Sequence, residues 1–408
     1  MRVSTAFNKM LAIPGAGVAT VSFTPEGIVV GLCRRTKKLR CSCGFTTPSV
    51  YDRHTRRWRH LDLGASKLFL QAEVRRLWCP RCEKVRTEQV PWARDGARFS
   101  RDLEDVVAWC AQRMDKTAVA RLLGISWSAV ARIVVRVVAE HLDGRRLEGL
   151  FRIGVDEVSW RKGHRYVTVV ADHDAAGAVV WAGEGKSSET LGRFYSELGP
   201  ERSARLEAVS LDMGGAYAKA TATMAPQARM CIDPFHVVAL ANDALGATRR
   251  QAWNLARRDG TDPRWVKHTR WALVKDPGTL STDQRLVLED LRRSRSVLWR
   301  AWRLKEELRD VYRLREFGAA HQFLDRWLAR ACRSRIPAFV KLSRTIRAHR
   351  EGILAAVELG LSNSKLEGLN SKIRLINHRG YGHHSAAAVI SMIYLCCGGI
   401  TVELPTGR

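Results

Sequence analysis

The sequence predicts a multidomain protein that combines an α+β N-terminal part with an α/β part and a helical insertion. Three observations lead to this fold class. Two cysteine pairs bracket a strand-like stretch, a helical stretch is broken by one glycine, and strands alternate with helices from residue 149. The 408 residues are enough for two to four domains, since a domain usually contains about 100–200 residues.

The chain is strongly basic. It contains 68 Lys and Arg against 41 Asp and Glu, a formal net charge of +27. An excess of this size indicates a polyanionic partner. No apolar run approaches the roughly 18 residues of a membrane-spanning helix, and the N-terminus lacks the pattern of a secretory signal. We therefore expect a soluble intracellular protein that binds nucleic acid and no membrane.

Residues 1–95 are expected to form a strand-rich zinc-binding module. Short apolar runs broken by Gly and Pro predict a strand hairpin before residue 32, and the alternation of residues 67–78 predicts a further strand. Two cysteine pairs, Cys41 with Cys43 and Cys79 with Cys82, flank this stretch. Four thiolates are suited to a tetrahedral Zn²⁺, which in so small a module would supply folding free energy.

The set of zinc ligands stays open, because the first pair is Cys-X-Cys rather than the more usual Cys-X-X-Cys. Three other side chains could replace one of the four: Cys33, His54 and His60. Between the pairs, three arginines predict a basic surface for DNA phosphates: Arg56, Arg57 and Arg59. Residues 90–100 are expected to be a linker to the next domain.

Residues 96–148 are expected to form a helix-turn-helix DNA-binding domain. Apolar residues recur at helical spacing on both sides of Gly124, which can adopt the positive φ of a tight turn. The exposed side of the second helix would present four residues to the major groove: Ser126, Trp127, Ser128 and Arg132. An ordinary helical hairpin is the alternative, and the net charge and the neighbouring cysteine module favour DNA binding.

Residues 149–250 alternate strands and helices in the β-β-β-α-β order with which a ribonuclease-H-like fold begins. Asp156 and Asp212 each lie at the end of a strand. Neighbouring carboxylates repel each other unless a cation lies between them, and a hard ion such as Mg²⁺ accepts their oxygens. Two such ions about 3.5–4 Å apart can hold the attacking and leaving oxygens of a phosphodiester.

Three further side chains of this segment could belong to such a site. Asp233 and His236 follow the next strand and are accessory candidates. Asp233 precedes Pro234 and could simply be a helix N-cap, and His236 could be a buried histidine. Glu157 points to the opposite face of its strand from Asp156, so we do not expect it to be a ligand.

The remaining chain is predicted to be helical. Residues 251–350 form a helical insertion rich in Arg and Trp, and residues 351–408 form the C-terminal helical part of the catalytic core. In the basic helix at 361–384, Glu367 is the one acidic side chain. Its neighbours could contact the DNA backbone or form a solvated helix face: Lys365, Asn370, Lys372 and Arg374.

These motifs resemble those of bacterial insertion-sequence transposases of the ISL3 family, which are of the DDE type. The resemblance rests on the cysteine pairs and on four segments: 154–170, 209–220, 231–242 and 361–382. It implies a ribonuclease-H-like catalytic domain with a triad at Asp156, Asp212 and Glu367, and the helical insertion between the last two. It also implies a two-metal site for Mg²⁺ or Mn²⁺, structural Zn²⁺, and a homodimer on double-stranded DNA.

The implied reaction is metal-dependent cleavage at the terminal inverted repeats of an insertion sequence, followed by strand transfer to target DNA. The implied location is the bacterial cytoplasm, in association with the nucleoid. Two other functions fit parts of the sequence. A DNA-binding regulator without catalysis would account for the first 150 residues but not for the spaced carboxylates. A ribonuclease-H-like nuclease that cuts without joining strands would use the same residues.

Overall fold

The computed structural model describes residues 2–142, 144–174, 177–314 and 316–405, apart from the side chains of Phe317, Ser364 and Lys365. These residues form two compact units. The first contains residues 2–142, 379–381 and 394–405, and the second contains the described residues between 144 and 378 together with 382–393. The predicted C-terminal range 351–408 therefore contributes to both units.

The first unit is built on a five-stranded sheet. Its strands, with a separate short pair, are β1 (Ala16–Thr24), β2 (Gly27–Arg34), β3 (Leu39–Arg40), β4 (Thr46–Thr47), β5 (Asp52–Arg59), β6 (Leu68–Cys79) and β7 (Lys84–Thr87). The strand order is β1-β2-β6-β5 with β7 paired to β6, and β3 pairs with β4. The predicted hairpin is confirmed as β1 and β2, and the predicted strand as β6. A helix that we did not predict, α1 (Val3–Leu11), precedes the sheet.

The alternation of β6 places one face of this strand in the core. Leu68, Leu70 and Val74 are at most 1% exposed. They pack with Trp58 of β5 and with Trp92, whose rings meet edge to face at a centroid distance of 5.8 Å. The alternation of apolar and polar residues in β6 thus corresponds to the buried and exposed faces of the strand.

The segment 90–100 is not the linker that we predicted. Trp92 is 3% exposed, and the guanidinium of the buried Arg94 contacts the carboxylates of Glu104, Asp105 and Glu140. A buried cation is stable only when carboxylates or other acceptors surround it. The polar composition of this segment therefore reflects an internal ionic network and not solvent exposure.

Three helices complete the helical part of the first unit: α2 (Arg101–Ala111), α3 (Lys116–Leu122) and α4 (Trp127–His141). Gly124 has φ +59° in the turn between α3 and α4, as predicted. Ser126 caps α4 by accepting a hydrogen bond from the Ala129 N–H at 3.2 Å. No single helix in the described ranges is long and apolar enough to cross a membrane; α3 and α4 would pass only as a pair, and they are bent by 105°.

The second unit contains the other five-stranded sheet. Its strands are β8 (Arg152–Arg161), β9 (Arg165–Asp172), β10 (Val179–Glu184), β11 (Ala208–Leu211) and β12 (Arg229–Ile232), in the order β10-β9-β8-β11-β12. β8, β9 and β10 are antiparallel neighbours, whereas β11 runs parallel to both β8 and β12. The predicted mixed α/β organisation is confirmed. Asp156 lies in the middle of the central strand β8 and not at its end as we predicted, because the pairing with β9 continues to Arg161.

The helices of the second unit are α5 (Ser188–Leu198), α6 (Pro200–Ser203), α7 (Gly215–Met224), α8 (Pro234–Arg258), α9 (Arg264–His268), α10 (Arg270–Val274), α11 (Thr282–Arg293), α12 (Val297–Asp310), α13 (Phe317–Cys332), α14 (Pro337–Ala348), α15 (Arg350–Leu359), α16 (Ser364–Arg379) and α17 (Ala386–Cys397). The boundary that we predicted at residues 250 and 251 falls inside α8. Trp327 of α13 is fully buried and donates to the carbonyl of Leu304 at 2.8 Å. The insertion thus shares one apolar core with the sheet.

Candidate active site and metal centre

The four predicted cysteines converge at one end of the first sheet. Cys41 and Cys43 lie in the turn between β3 and β4, Cys79 ends β6, and Cys82 lies in the turn before β7. Their sulfur atoms all lie within 4.8 Å of one another, with Cys43 to Cys79 at 3.4 Å and Cys41 to Cys82 at 3.9 Å. Zn–S bonds of about 2.3 Å place tetrahedral sulfurs about 3.8 Å apart, so the cluster fits a zinc ion.

The thiols of the cluster differ in acidity, since hydrogen bonds to Cys43 and Cys79 raise the pKa of Cys82 to about 11. A hydrogen bond from the Phe45 backbone lowers the pKa of Cys43 to about 7. The alternatives that the sequence left open lie outside the cluster. Cys33 and His54 are exposed, and the buried His60 has its Nδ1 at 2.7 Å from the Ser100 hydroxyl. Of the candidates that the sequence offered, Cys41, Cys43, Cys79 and Cys82 are therefore the ones that could hold a zinc ion together.

The predicted DNA-facing residues of α4 lie on its solvent side. Ser126, Trp127, Ser128 and Arg132 are all exposed, while Val130 and Ile133 on the other side are buried. The ammonium of Lys116 lies 4.9 Å from the centroid of the Trp127 ring. The helix thus has the amphipathic form that a recognition helix needs.

The three arginines of β5 are less available than the sequence suggested. Arg56 donates to the carbonyl of Ala97 at 2.6 Å, and Arg59 pairs with Asp62. Arg57 is exposed and pairs with Glu26 at 3.0 Å. Contacts of these side chains with phosphates stay a prediction, and each would compete with an internal hydrogen bond or ion pair.

Asp156 is held from two sides on the central strand β8. Its Oδ1 accepts a hydrogen bond from the Glu157 N–H at 2.8 Å, and its Oδ2 accepts one from Asn370 Nδ2 at 2.5 Å. Burial raises the pKa of Asp156, and the nearby His236 opposes that rise. A buried carboxylate with a raised pKa gains from a cation placed beside it.

Helix α16 lies along β8, and three contacts define its path. A Cβ atom on Gly154 would meet Leu366 Cδ1 at 2.4 Å, so a larger residue would require Leu366 or the helix to shift. Further along, Asn370 bonds to Asp156, and Asn377 Nδ2 donates to the carbonyl of Trp160 at 2.8 Å. The helix and the strand therefore run in the same direction, with the first turns of α16 beside Asp156.

Glu367 lies in the first turn of α16, and its side chain is exposed. Glu367 and Asn370 are three residues apart, which places them roughly 60° apart around the helix axis. Because Asn370 contacts Asp156, this spacing predicts that Glu367 projects toward the same carboxylate. Asn370 Oδ1 is a buried oxygen that accepts no hydrogen bond from the described residues. This oxygen is therefore a second acceptor atom beside the carboxylate of Asp156.

Asp212 follows the last residue of β11, which is the neighbour of β8. Its Oδ1 accepts a hydrogen bond from the Gly214 N–H at 2.9 Å. A Cβ on Gly214 would lie 2.9 Å from that same oxygen, so glycine keeps the carboxylate unobstructed. A groove of about 730 Å³ opens beside Asp212, with Arg347 and His349 in its wall.

Glu157 lies closer to the carboxylates than its strand position suggested. It pairs with Thr168 across the sheet, and Thr168 Oγ1 is 2.8 Å from the Tyr217 hydroxyl of α7. Directly paired residues share a face, so Glu157 is on the α7 side. Burial, with the charges of Asp212 and Asp156, raises the pKa of Glu157. Glu157 is therefore influenced by the charges of Asp156 and Asp212, although it points to the opposite face of its strand from Asp156.

Asp233 has a structural task that the sequence only partly indicated. It caps α8 as predicted, accepting from the Phe235 N–H at 3.4 Å. It also accepts from the Asn363 N–H at 3.0 Å, immediately before α16. His236 Nε2 lies 3.9 Å from its other oxygen. Asp233 thereby ties the start of the Glu367 helix to the sheet.

The flanking residues of α16 divide into two groups. Lys372 and Arg374 are exposed, whereas Asn370 is 4% exposed and engaged with Asp156. The side chain of Lys365 lies outside the described residues. Asn370 was predicted as a DNA contact, but in the structure it donates a hydrogen bond to Asp156. No pattern in the sequence indicated this contact, because the two residues are 214 positions apart.

The carboxylates do not gather around one point as the cysteines do. Among the described residues, the four cysteines form the only group of three or more metal-ligating side chains within 4.8 Å of one another. A two-metal site spreads its ligands over two ions about 3.5–4 Å apart, so it does not require such a group. The oxygen donors of Asp156, Asp212 and Glu367 are those that Mg²⁺ and Mn²⁺ accept.

Comparison with known protein families matches three segments of the chain. Residues 153–393 match a transposase family model of the DDE type from ISL3 elements. Residues 88–138 match the helix-turn-helix domain of transposase family ISL3. Residues 40–82 match the zinc finger of transposases IS204, IS1001, IS1096 and IS1165.

Individual relatives resemble the chain over most of its length. The transposase for insertion sequence element IS1557 of Mycobacterium tuberculosis is 41% identical over 393 residues, which cover 90% of this chain and 87% of the relative. The transposase for insertion sequence element IS1001 of Bordetella parapertussis is 30% identical over 348 residues, which cover 84% of each protein.

Proposed function

The chain belongs to the ISL3 family of transposases, and we propose that it cleaves the ends of an insertion sequence and joins them to target DNA. The observation that carries this proposal is the packing of α16 along β8, which brings the Glu367 helix to Asp156 through the Asn370 hydrogen bond. Asp212 lies at the end of the adjacent strand. This arrangement supports a metal-dependent phosphoryl-transfer site in which Asp156, Asp212 and Glu367 would share the metal ions.

The residues of the chain hold this site in a defined geometry. Asn370 and the Glu157 N–H fix the two oxygens of Asp156, and Gly214 fixes Asp212. When bound to these carboxylates, Mg²⁺ or Mn²⁺ supplies the charge that activates water and stabilises the leaving oxygen of a phosphodiester. The exposed Glu367 lies where DNA can approach, and Lys372 and Arg374 offer positive charge to the backbone.

The N-terminal unit supplies the specificity in this proposal. The exposed residues of α4 would enter the major groove of the terminal inverted repeats. The zinc cluster would stabilise the sheet next to it. The names of the two relatives, each a transposase for an insertion sequence element, support an insertion sequence as the substrate. An element has two ends, so we propose a homodimer on DNA, acting at the bacterial nucleoid.

The test is a cleavage and joining reaction on a plasmid that carries the terminal repeats of the element, with Mg²⁺ or Mn²⁺. The wild type is expected to cut at the ends and to join them to target DNA. Asp156→Asn, Asp212→Asn and Glu367→Gln should do neither while binding the repeats normally. Glu289→Gln, which alters a surface ion pair with Arg292, is the matched control and should leave both steps unchanged.

Each other outcome has a definite meaning. Cutting without joining would replace the proposal with a nuclease. Binding to the repeats without cutting by the wild type would indicate a DNA-binding regulator. Cleavage that persists in Glu367→Gln but is lost in Glu157→Gln would move the third carboxylate from α16 to β8.

A further inference from the structure

Two tryptophans of the insertion are not core residues. Trp265 and Trp271, on α9 and α10, are 45% and 54% exposed, whereas Trp327 is fully buried. Val266, Ala272 and Leu273 hold the same two helices in the core, so the exposed rings are not the result of loose packing. An exposed indole surrounded by polar side chains indicates a contact surface for another molecule.

The residues around Trp271 carry an unbalanced positive charge. Burial lowers the pKa of Arg249, and the charges of Arg270 and Arg250 lower it further, so these three guanidinium groups are near enough to interact. Other arginines of the insertion have carboxylate partners, for example Arg292 with Glu289 and Arg350 with Asp325. Within the described part of the chain, no ion pair links Arg249, Arg250 or Arg270 to a carboxylate. A cluster of this kind favours an external anion.

The aromatic and cationic groups are in contact. The guanidinium carbon of Arg270 lies 4.9 Å from the centroid of the Trp271 ring. We propose that Arg249, Arg250, Arg270 and Trp271 form a binding surface for an unpaired DNA nucleotide, with the indole stacked on the base and the arginines on the adjacent phosphate. Stacking of this kind needs a free base face, which a paired duplex does not offer. The cluster is complementary in charge to DNA rather than to a second copy of this basic chain, so the proposed dimer would form through another surface.

The choice of DNA as the anion rests on the proposed function, and the test is designed to separate the two. Binding is measured by fluorescence anisotropy in the Glu367→Gln background, without added divalent ions, so that cleavage does not contribute. The probes are a labelled single strand of about 12 nucleotides and a duplex of the same sequence, since sites of this class cover about 4–16 nucleotides. Cleavage by the otherwise unchanged protein is assayed separately.

We expect Trp271→Ala to weaken binding of the single strand about 5-fold or more and binding of the duplex less than 2-fold. Trp271→Phe keeps an aromatic face and should restore most of the loss. Arg270→Ala should weaken binding of the single strand. Arg292→Ala, at an arginine that is paired with Glu289, is the matched control and should leave this binding unchanged. If Trp271→Ala lowers the melting temperature, the Phe and Arg270 variants carry the test.

Three results would overturn the inference. Equal losses for both probes would indicate ordinary phosphate contacts, and no loss for either would show that the surface does not bind DNA. A change of oligomeric state in Trp271→Ala, seen by light scattering, would identify it as a protein–protein contact. Selective loss in a protein that fails to cleave its element would uphold the binding surface and reject only the proposed function.

Discussion

The two candidate metal centres of this protein differ in how their proposed ligands come together. The four clustered cysteines lie between residues 41 and 82, in the turn of the short β3–β4 pair, at the end of β6 and in the turn after it. The carboxylates extend from Asp156 to Glu367, with the whole helical insertion between the last two. The first centre depends on local turns and strand pairing. The second depends on the packing of α16 against β8, so a change far from any ligand can disturb it.

The largest expected effect is the loss of zinc. Cys82→Ser should reduce the zinc content from about one equivalent per chain to none, because structural zinc contributes about 10–16 kcal/mol in small modules. The module around β6 should then be digested by trypsin much faster. Metal analysis and limited proteolysis measure the two effects.

Cys33→Ser is the control for that experiment, since Cys33 is an exposed thiol outside the cluster. It should retain the zinc and the protease resistance of the wild type. Full zinc content in Cys82→Ser would mean that Cys82 is not needed as a ligand. The proposal that zinc is held by these four cysteines would then be wrong.

The next effect concerns the assembled centre. Glu367→Gln should reduce DNA cleavage about 1,000-fold or more, because a loss of about 4 kcal/mol of transition-state stabilisation has that result. Zinc content and binding to the terminal repeats should not change, because the two centres belong to different units. Cleavage rates with Mn²⁺ and a gel-shift titration test this. A parallel loss of repeat binding would contradict the proposed independence.

Asn370→Ala should have a smaller effect of the same kind. The substitution removes the hydrogen bond to Asp156 Oδ2, and loss of such a supporting partner typically costs about 10–100-fold in metal affinity or activity. The cleavage rate as a function of Mn²⁺ concentration should shift toward higher concentrations. Leu375→Ala, at a position 66% exposed on the same helix, should leave that curve in place.

The smallest expected effect tests the packing itself. A Cβ at Gly154 would overlap with Leu366, and overpacking typically costs about 1–3 kcal/mol. Gly154→Ala should lower the melting temperature and the cleavage rate together, because α16 must move away from Asp156. Gly192→Ala on α5, where a Cβ meets nothing within 4 Å, should not destabilise the protein. An unchanged melting temperature in Gly154→Ala would show that α16 is not held in place by this contact.

Much of the fold could be predicted because the signals were local. The alternation of residues 67–78 determined β6, the Gly124 turn separated α3 from α4, and the alternation of strands with helices predicted the sheet of the second unit. The prediction that Asp156 ends its strand was wrong, whereas Asp212 does follow the end of β11. Predictions failed where a residue far away in the sequence determined the environment of a side chain. The composition of segment 90–100 predicted a polar linker. In the structure Arg94 is buried, because the carboxylates of Glu104, Asp105 and Glu140 surround it.

The sequence by itself determined the helix-turn-helix and the family, and it narrowed the candidate metal-ligating cysteines to within a few alternatives. Only the tertiary structure decided that Asn370 supports Asp156, that Asp233 holds the start of α16, and that Glu157 faces the α7 side of the sheet. The physical reason is the range of the interactions. Turns and periodicity act over a few residues, whereas a buried carboxylate is stabilised by whichever donors the packing brings to it.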